Sequence, residues 1–430
     1  MERVTCTILD SLPGAPAHPR SPDLLRLLGG PRGEHSPRPC RRASPDHHGT
    51  AALLSLGGDR AEVVRRADAH LTDTDRCPDP VATWQSLLAL VFAGDLVLAD
   101  LHCARLSARP RWSGATPAAQ VVHVVRSRIG FLVGDPDGAR HTLCELARAP
   151  ITGALDAVVV GWLTEALIEV GQPAAAEELL IGRGYSGTLP AGLPGKALLL
   201  HARASLHLAL GRPNSALKDF AACGTETADC DFANPAVLPW RTGVALCLRE
   251  LGQPDVARRL VRTDLAAAQR WGAPGQIGRA LLAAARLEHG PSARSLFTEA
   301  VDLLSVANAF GDLGHAARVF HTVPGLADDV AWARRTLRRI ADLTARGGNR
   351  HAADRAAAAL ARFLSAHGDP NLTKHEISVA KLVWAGYDNT EIADRLSLTR
   401  RTVEHHLSSI YRKLRLPNRR HLFLAMSDFF

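Results

Sequence analysis

From about residue 51 to residue 367, apolar residues recur at helical spacing in runs that end on the same punctuation. Gly94, Gly134, Gly171, Gly211 and Gly252 stand 40, 37, 40 and 41 residues apart. Each follows an apolar run such as VVHVVRSRIGFLV or LPWRTGVALCLREL, and each precedes Asp, Gln or Arg. In the last four a Pro comes next, and in all five an Ala stands five residues after the Gly: Ala99, Ala139, Ala176, Ala216 and Ala257. A left-handed Gly ends one helix, Pro suits the first turn of the next, and a small Ala lets the pair approach closely. The pattern therefore predicts two helices per unit. After Gly290-Pro291 the spacing loosens, although Gly311 and Gly348 keep the same distance to Ala316 and Ala353.

A period near 40 with paired helices predicts an α-solenoid of tetratricopeptide type over residues 51–367. Residues 1–50 have another texture. LPGAPAHPRSPD and GGPRGEHSPRPCRRASPDHHG offer little apolar face outside Leu24 to Leu28, and a disordered arm is expected. Gly368-Asp369-Pro370 marks a hinge over 368–371.

The last segment, 372–430, carries three further helical patterns, each with a start signal. Thr373 stands three residues before Glu376, and Asp388 three before Glu391, the spacing of a capping box. Gly386 closes the first run, the second covers Asn389 to Leu396, and Ser397–Leu398 turns into a third over Arg400 to Leu414 that Thr399 can cap. On that third helix Val403, Leu407, Ile410 and Leu414 form the packing stripe. Arg401, Glu404, His405, Ser408 and Arg412 fall opposite, a set of short polar groups, forked cations and one carboxylate suited to a major groove. Asn371 to Phe430 holds ten Lys and Arg against six Asp and Glu, the surplus that phosphate neutralisation requires.

Composition adds limits. The 430 residues suit two or three domains, and 46% apolar content with 5% aromatics, rich in Ala and Leu, fits an all-α chain. Only five of the 51 basic residues are Lys; we take the arginine excess as genomic bias, so the net +8 is weak evidence for nucleic acid. No apolar run has membrane-spanning length and no signal pattern opens the chain, so a cytoplasmic protein is expected. Cysteines 6, 40, 77, 103, 144, 223, 230 and 247 form no CxxC pair, which argues against zinc or a disulfide framework.

The terminal segment resembles the LuxR-type helix-turn-helix of bacterial transcription regulators. The likeness lies in L-T-x-x-E at Leu372, N-x-E-I-A at Asn389 to Ala393, T-V-x-x-H at Thr402 to His406, I-x-x-K-L at Ile410 to Leu414, and Arg419. It departs at Arg415, where the family has Gly; a non-Gly residue at a left-handed helix end costs on the order of 1 kcal/mol. The resemblance implies base contacts from Glu404, His405 and Ser408. Thr399, Arg400, Arg401, Thr402, Arg412 and Lys413 are better placed for phosphates, which set register without reading sequence. It also implies a fourth helix, from Arg419 to about Ser427, whose Leu422, Phe423 and Met426 pair two DNA-bound modules. Blander readings stand beside these: Glu404 as a solvated carboxylate, His406 as a structural side chain, Arg419 and Arg420 as a solvated pair, and the fourth helix as the lid of its own core.

The repeats from ALLLHARASLHLALGRPNSALKDF to AQRWGAPGQIGRAL are similar to the helical-repeat region of large ATP-binding LuxR-family regulators. Those carry a nucleotide-binding domain. Here the nearest approach to a phosphate loop, Gly192 to Lys196, has the wrong spacing and is followed by Ala197. No cofactor is expected. His47-His48 and His405-His406 lack carboxylates at metal-ligand spacing, no catalytic motif occurs, and the chain is read as a non-enzyme. The expected function is a dimeric, sequence-specific regulator on duplex DNA, an activator by resemblance, serving a specialised-metabolite pathway. RNA polymerase and a small-molecule or protein signal for the solenoid are open partners. The rival is a docking protein whose terminal module has lost DNA affinity.

Overall fold

The computed structural model describes residues 47–73, 79–114, 116–149, 151, 155–367, 373–414, 418, 419 and 422. The expected arm lies outside them up to residue 46, and the helix His47–Leu56 takes up its last residues. The hinge at 368–371 also lies outside. The described residues are helical with connecting turns and no strand, an all-α chain. They divide into two compact units, one of residues up to Asp329 with Thr336–Ala356, the other of Val330–Arg335 with residues from Ala357 onward.

In the first unit the predicted punctuation is met at atomic detail. Gly94, Gly134, Gly171, Gly211 and Gly252 all have positive φ, between 71° and 99°. In each case the following N–H reaches back five residues, as in Asp95 to Leu90 O and Gln253 to Leu248 O, which satisfies a carbonyl the helix end leaves open. Pro136, Pro173, Pro213 and Pro254 then open the next helices. The five alanines that follow are buried to within 2% exposure, so each repeat's small residue belongs to the core.

The later repeats depart from the pattern. Gly311 is inside the helix Phe310–Val319 and does not cap one. Asn308 takes the left-handed position (φ 51°), and Ala309 N–H returns to Leu304 O. Gly311 answers a different need, since a Cβ there would lie 3.1 Å from Gly134 Cα. After Gly348 the buried residue is Ala352, while Ala353 is half-buried.

That approach belongs to a closure of the array on itself. Asn349 Nδ2 donates to Val133 O at 2.9 Å, Trp271 Nε1 to Phe92 O at 3.0 Å, and Asn234 Nδ2 to Leu54 O at 2.9 Å. Arg355 pairs with Glu169. The first helix of several pairs is apolar on nearly every side, as in Pro80–Ala93 and Leu155–Glu169. A helix buried all round needs neighbours on both faces. Pro80–Ala93 and Leu155–Glu169 find them mainly in the helices before and after them in the chain, and a cavity of about 410 Å³ remains inside the array.

Among the described residues no helix is long and apolar enough to cross a membrane, and no cluster of His, Cys, Asp or Glu could hold a metal. The described cysteines, Cys103, Cys144, Cys223, Cys230 and Cys247, are free thiols, and burial pushes Cys103, Cys223 and Cys247 up to about 12. Such thiols are inert core residues.

Candidate nucleic-acid interface

The second unit contains three helices at the predicted positions: Lys374–Trp384, Asn389–Leu396 and Arg400–Leu414. Both capping boxes form. Thr373 Oγ1 accepts from Glu376 N–H at 3.2 Å, and Thr373 N–H donates to Glu376 Oε2 at 2.6 Å. Asp388 Oδ1 accepts from Glu391 N–H at 2.9 Å, and Asp388 N–H donates to Glu391 Oε2 at 2.8 Å. The bond from Glu391 N–H, and after it that from Thr390 N–H at 2.8 Å, hold the Asp388 carboxyl below its ordinary range. Thr399 Oγ1 caps the third helix through Thr402 N–H at 3.1 Å. Gly386 closes the first helix with φ 89°. Ser397, with φ 54°, makes the tight turn into the third helix, and Leu398 N–H returns to Ala393 O.

Val403, Leu407 and Ile410 pack with Val379, Ala380, Val383, Ile392 and Ala393 in a small core. That leaves the opposite face of the third helix outward: Thr399, Arg400, Arg401, Glu404, His405, Ser408 and Arg412 are exposed, with Thr402 and Lys413 half-buried. The cations on this face are not equivalent. Arg400 Nε donates to Glu404 Oε1 at 3.1 Å, so these two neutralise each other. Lys413 Nζ reaches Glu376 Oε2 at 2.7 Å and ties the third helix to the first. Glu376 is 3% exposed. Burial raises its pKa, but the bonds from Lys413 and Thr373 N–H outweigh that and hold it at about 2. Arg401 and Arg412 make no ion pair or hydrogen bond with any described residue, and both side chains lie open to solvent.

Other residues have structural tasks. His406 is half-buried and stacks on His375 with centroids 6.3 Å apart, so it fixes the helix. Arg419 is not simply solvated: its guanidinium donates to Asn389 Oδ1 at 2.7 Å and to Tyr387 O, bracing the start of the second helix. Arg395 lies 3.7 Å over the Tyr387 ring centroid. The spacing of Arg419 after the third helix gave no sign of this partner. Leu422, expected at a two-fold contact, is instead fully buried in the module's own core. Its N–H donates to Asn418 O at 3.2 Å. Phe423, Met426, Arg415 and Arg420 lie outside the described residues.

Comparison with known proteins bears on both regions. Residues 370–426 match the family described as bacterial regulatory proteins, luxR family. No curated protein matches the chain in sequence. Among solved structures, the APC/C hetero-tetramer Cut9–Hcn1 shares 12% identity over 74% of this chain and 56% of its own, with TM-score 0.45. BtubC from P. vanneervenii shares 14% over 55% and 91%, with TM-score 0.27. A signal-transduction ATPase with a tetratricopeptide-repeat sensor from Pyrococcus horikoshii shares 13% over 86% and 54%, with TM-score 0.38. The chain thus spans little more than half of the first and third. At such TM-scores none carries a fold or function across, and the repeat architecture rests on the helix pairs described above. Two sequence motifs, the capping boxes and the T-V-x-x-H helix, coincide with the matched segment and its geometry: residues 370–426 are a luxR-family DNA-binding helix-turn-helix, set behind an all-α helical-repeat array.

Proposed function

We propose that the chain is a cytoplasmic, sequence-specific transcriptional activator that binds an inverted repeat as a homodimer, with the helix Arg400–Leu414 in the major groove. The observation that carries this reading is the outward face of that helix. Two uncommitted guanidinium groups, Arg401 and Arg412, flank His405 and Ser408, which can donate to or accept from base edges. Arg401 and Arg412 would neutralise phosphates, with Thr399, Arg400, Thr402 and Lys413 around them. Glu404, already held by Arg400, would accept from a cytosine amino group only where that pair opens. With Leu422 committed to the core, the two-fold contact falls to Phe423 and Met426. A pathway-specific role in specialised metabolism follows the resemblance, as does a contact with RNA polymerase. Residues 51–367 would serve as the sensor and 372–430 as the reader.

Selection of bound sites from random duplex DNA by the full-length chain tests this reading. Recovery of one inverted repeat, with affinity that falls steeply as salt rises, is expected. Recovery of single half-sites would remove the dimer. No enrichment even in low salt would remove DNA binding and favour a protein-docking role.

A further inference from the structure

The cavity inside the repeat array has a volume typical of small-molecule sites, about 410 Å³. Phe92, Phe131, Trp162, Leu198, Leu238 and Leu282 give it a largely apolar wall. Charged groups are set among them, and most are matched. Arg128 meets Glu165 at 2.5 Å, Arg279 meets Asp312 at 3.0 Å, and Glu169 is shared by Arg355 and Arg318. Asp264 accepts from Thr242 N–H and Oγ1, both at 2.9 Å.

Arg286 is the exception. It lines the cavity, its Nε is buried without an acceptor, and no carboxylate of a described residue lies within ion-pair distance. Burial and the neighbouring cation Arg249, with Arg318 beyond, press its guanidinium down to about 10 against the pull of Glu250, which lies outside ion-pair distance, and it stays charged at neutral pH. His315 nearby is pushed down to about 4 by burial and by Arg318, so it is neutral there. Unmet hydrogen-bonding capacity around the cavity is mostly that of donors, with His201 Nδ1, which can donate or accept, also buried without a hydrogen-bond partner. Arg128 Nε, Arg286 Nε, and Arg355 Nε and Nη2 are buried without an acceptor, whereas no lining carboxylate oxygen is buried without a donor. Buried donors left without acceptors are costly, and a cation with no counter-charge more so.

We propose that this cavity binds a small organic carboxylate with an apolar alkyl or aryl body, its carboxylate meeting Arg286 and its body lying along the apolar wall. A planar guanidinium engages a carboxylate through two parallel bonds, and the wall excludes water from the rest of the molecule. The site belongs to the array alone and does not depend on the DNA-binding reading.

Calorimetric titration of the full-length chain with 1-naphthylacetate, 4-phenylbutyrate and decanoate, each beside its neutral amide, tests the proposal. At least one acid should bind saturably at one per chain, with its amide at least tenfold weaker. Arg286→Gln should lose the same factor without lowering the melting temperature, and Arg286→Lys should recover part of it. Equal binding of acid and amide, unchanged binding by Arg286→Gln, tighter binding of inorganic phosphate than of any acid, or no saturable binding by all three acids would each overturn it. The acid-to-amide comparison needs no variant, so a misfolded Arg286→Gln would not blunt it.

Discussion

Arginine is put to opposite uses in the two regions. In the array, Arg286 apart, arginines such as Arg128, Arg279 and Arg355 are packing residues held by carboxylates. Arg203 grips both oxygens of Asp219 at 2.7 Å and also donates to Tyr185 O, while Arg183 holds Asp156 at 2.5 Å. In the reader, Arg401 and Arg412 stand in solvent with no partner among the described residues. The net +8 of the chain merges these two populations and so reveals neither. What distinguishes a structural cation from one available to a phosphate is whether a carboxylate already holds it.

The largest effect should come from breaking a buried pair in the array. Asp219→Ala leaves Arg203, whose side chain is 11% exposed, without its counter-charge. Loss of one partner of a buried pair typically costs about 3–5 kcal/mol, far more than the pair's net worth. Urea unfolding of the full-length chain should show the array's transition shifted by that order, and the double variant with Arg203→Met should recover much of it. A wild-type transition for Asp219→Ala would mean that the pair is ornamental.

Next in size is the reader's own buried carboxylate. Glu376 drops from 4.5 to about 2 on folding, so the folded module favours its ionised form. Its contribution is fully present above pH 4.5 and is lost as pH falls toward 2. By linkage this amounts to about 3 kcal/mol. Unfolding of the module followed from pH 6 to pH 2 should show that loss, and Glu376→Gln should flatten the profile. Equal pH slopes in the two proteins would mean that the Lys413 bond is not formed in solution.

Much of this was legible in the sequence because it is local. A helix end is specified within six residues, so Gly134 with Pro136, Thr373 with Glu376, and Asp388 with Glu391 could be read directly. The outward face of Arg400–Leu414 followed from helical periodicity. Closure of the array was not legible. Asn349 and Val133 are 216 residues apart, Trp271 and Phe92 are 179, and repeat spacing speaks only of adjacent units. The strongly apolar runs PVATWQSLLALVFA and LDAVVVGWLTEALIE marked central helices but not which distant turns meet. The same locality hid the bond from Lys413 to a carboxylate 37 positions away and the long-range approach that Gly311 permits.

For the uncommitted cations, Arg401→Ala should weaken binding to all duplexes alike, flattening the salt slope by about one unit per module. His405→Ala or Ser408→Ala should instead relax the preference at particular positions of a selected consensus. Fluorescence anisotropy over a salt series, with a repeat of the selection, separates the two classes. An unchanged consensus for His405→Ala would refute the groove assignment.

The smallest effect is also the sharpest test of the distinction between held and free arginines. Arg400 and Arg401 are adjacent and both exposed, yet only Arg400 is tied to Glu404. An exposed pair four residues apart on a helix is worth about 0.3–0.5 kcal/mol, so Arg400→Ala should barely alter stability. Its effect on DNA affinity should also fall below that of Arg401→Ala, since Arg400 must leave Glu404 before meeting a phosphate. Glu404→Ala should then make Arg400 behave like its neighbour, steepening the salt slope until a further Arg400→Ala removes the gain. If Arg400→Ala already matches Arg401→Ala with Glu404 in place, prior pairing does not decide which arginine is available to DNA, and exposure alone does.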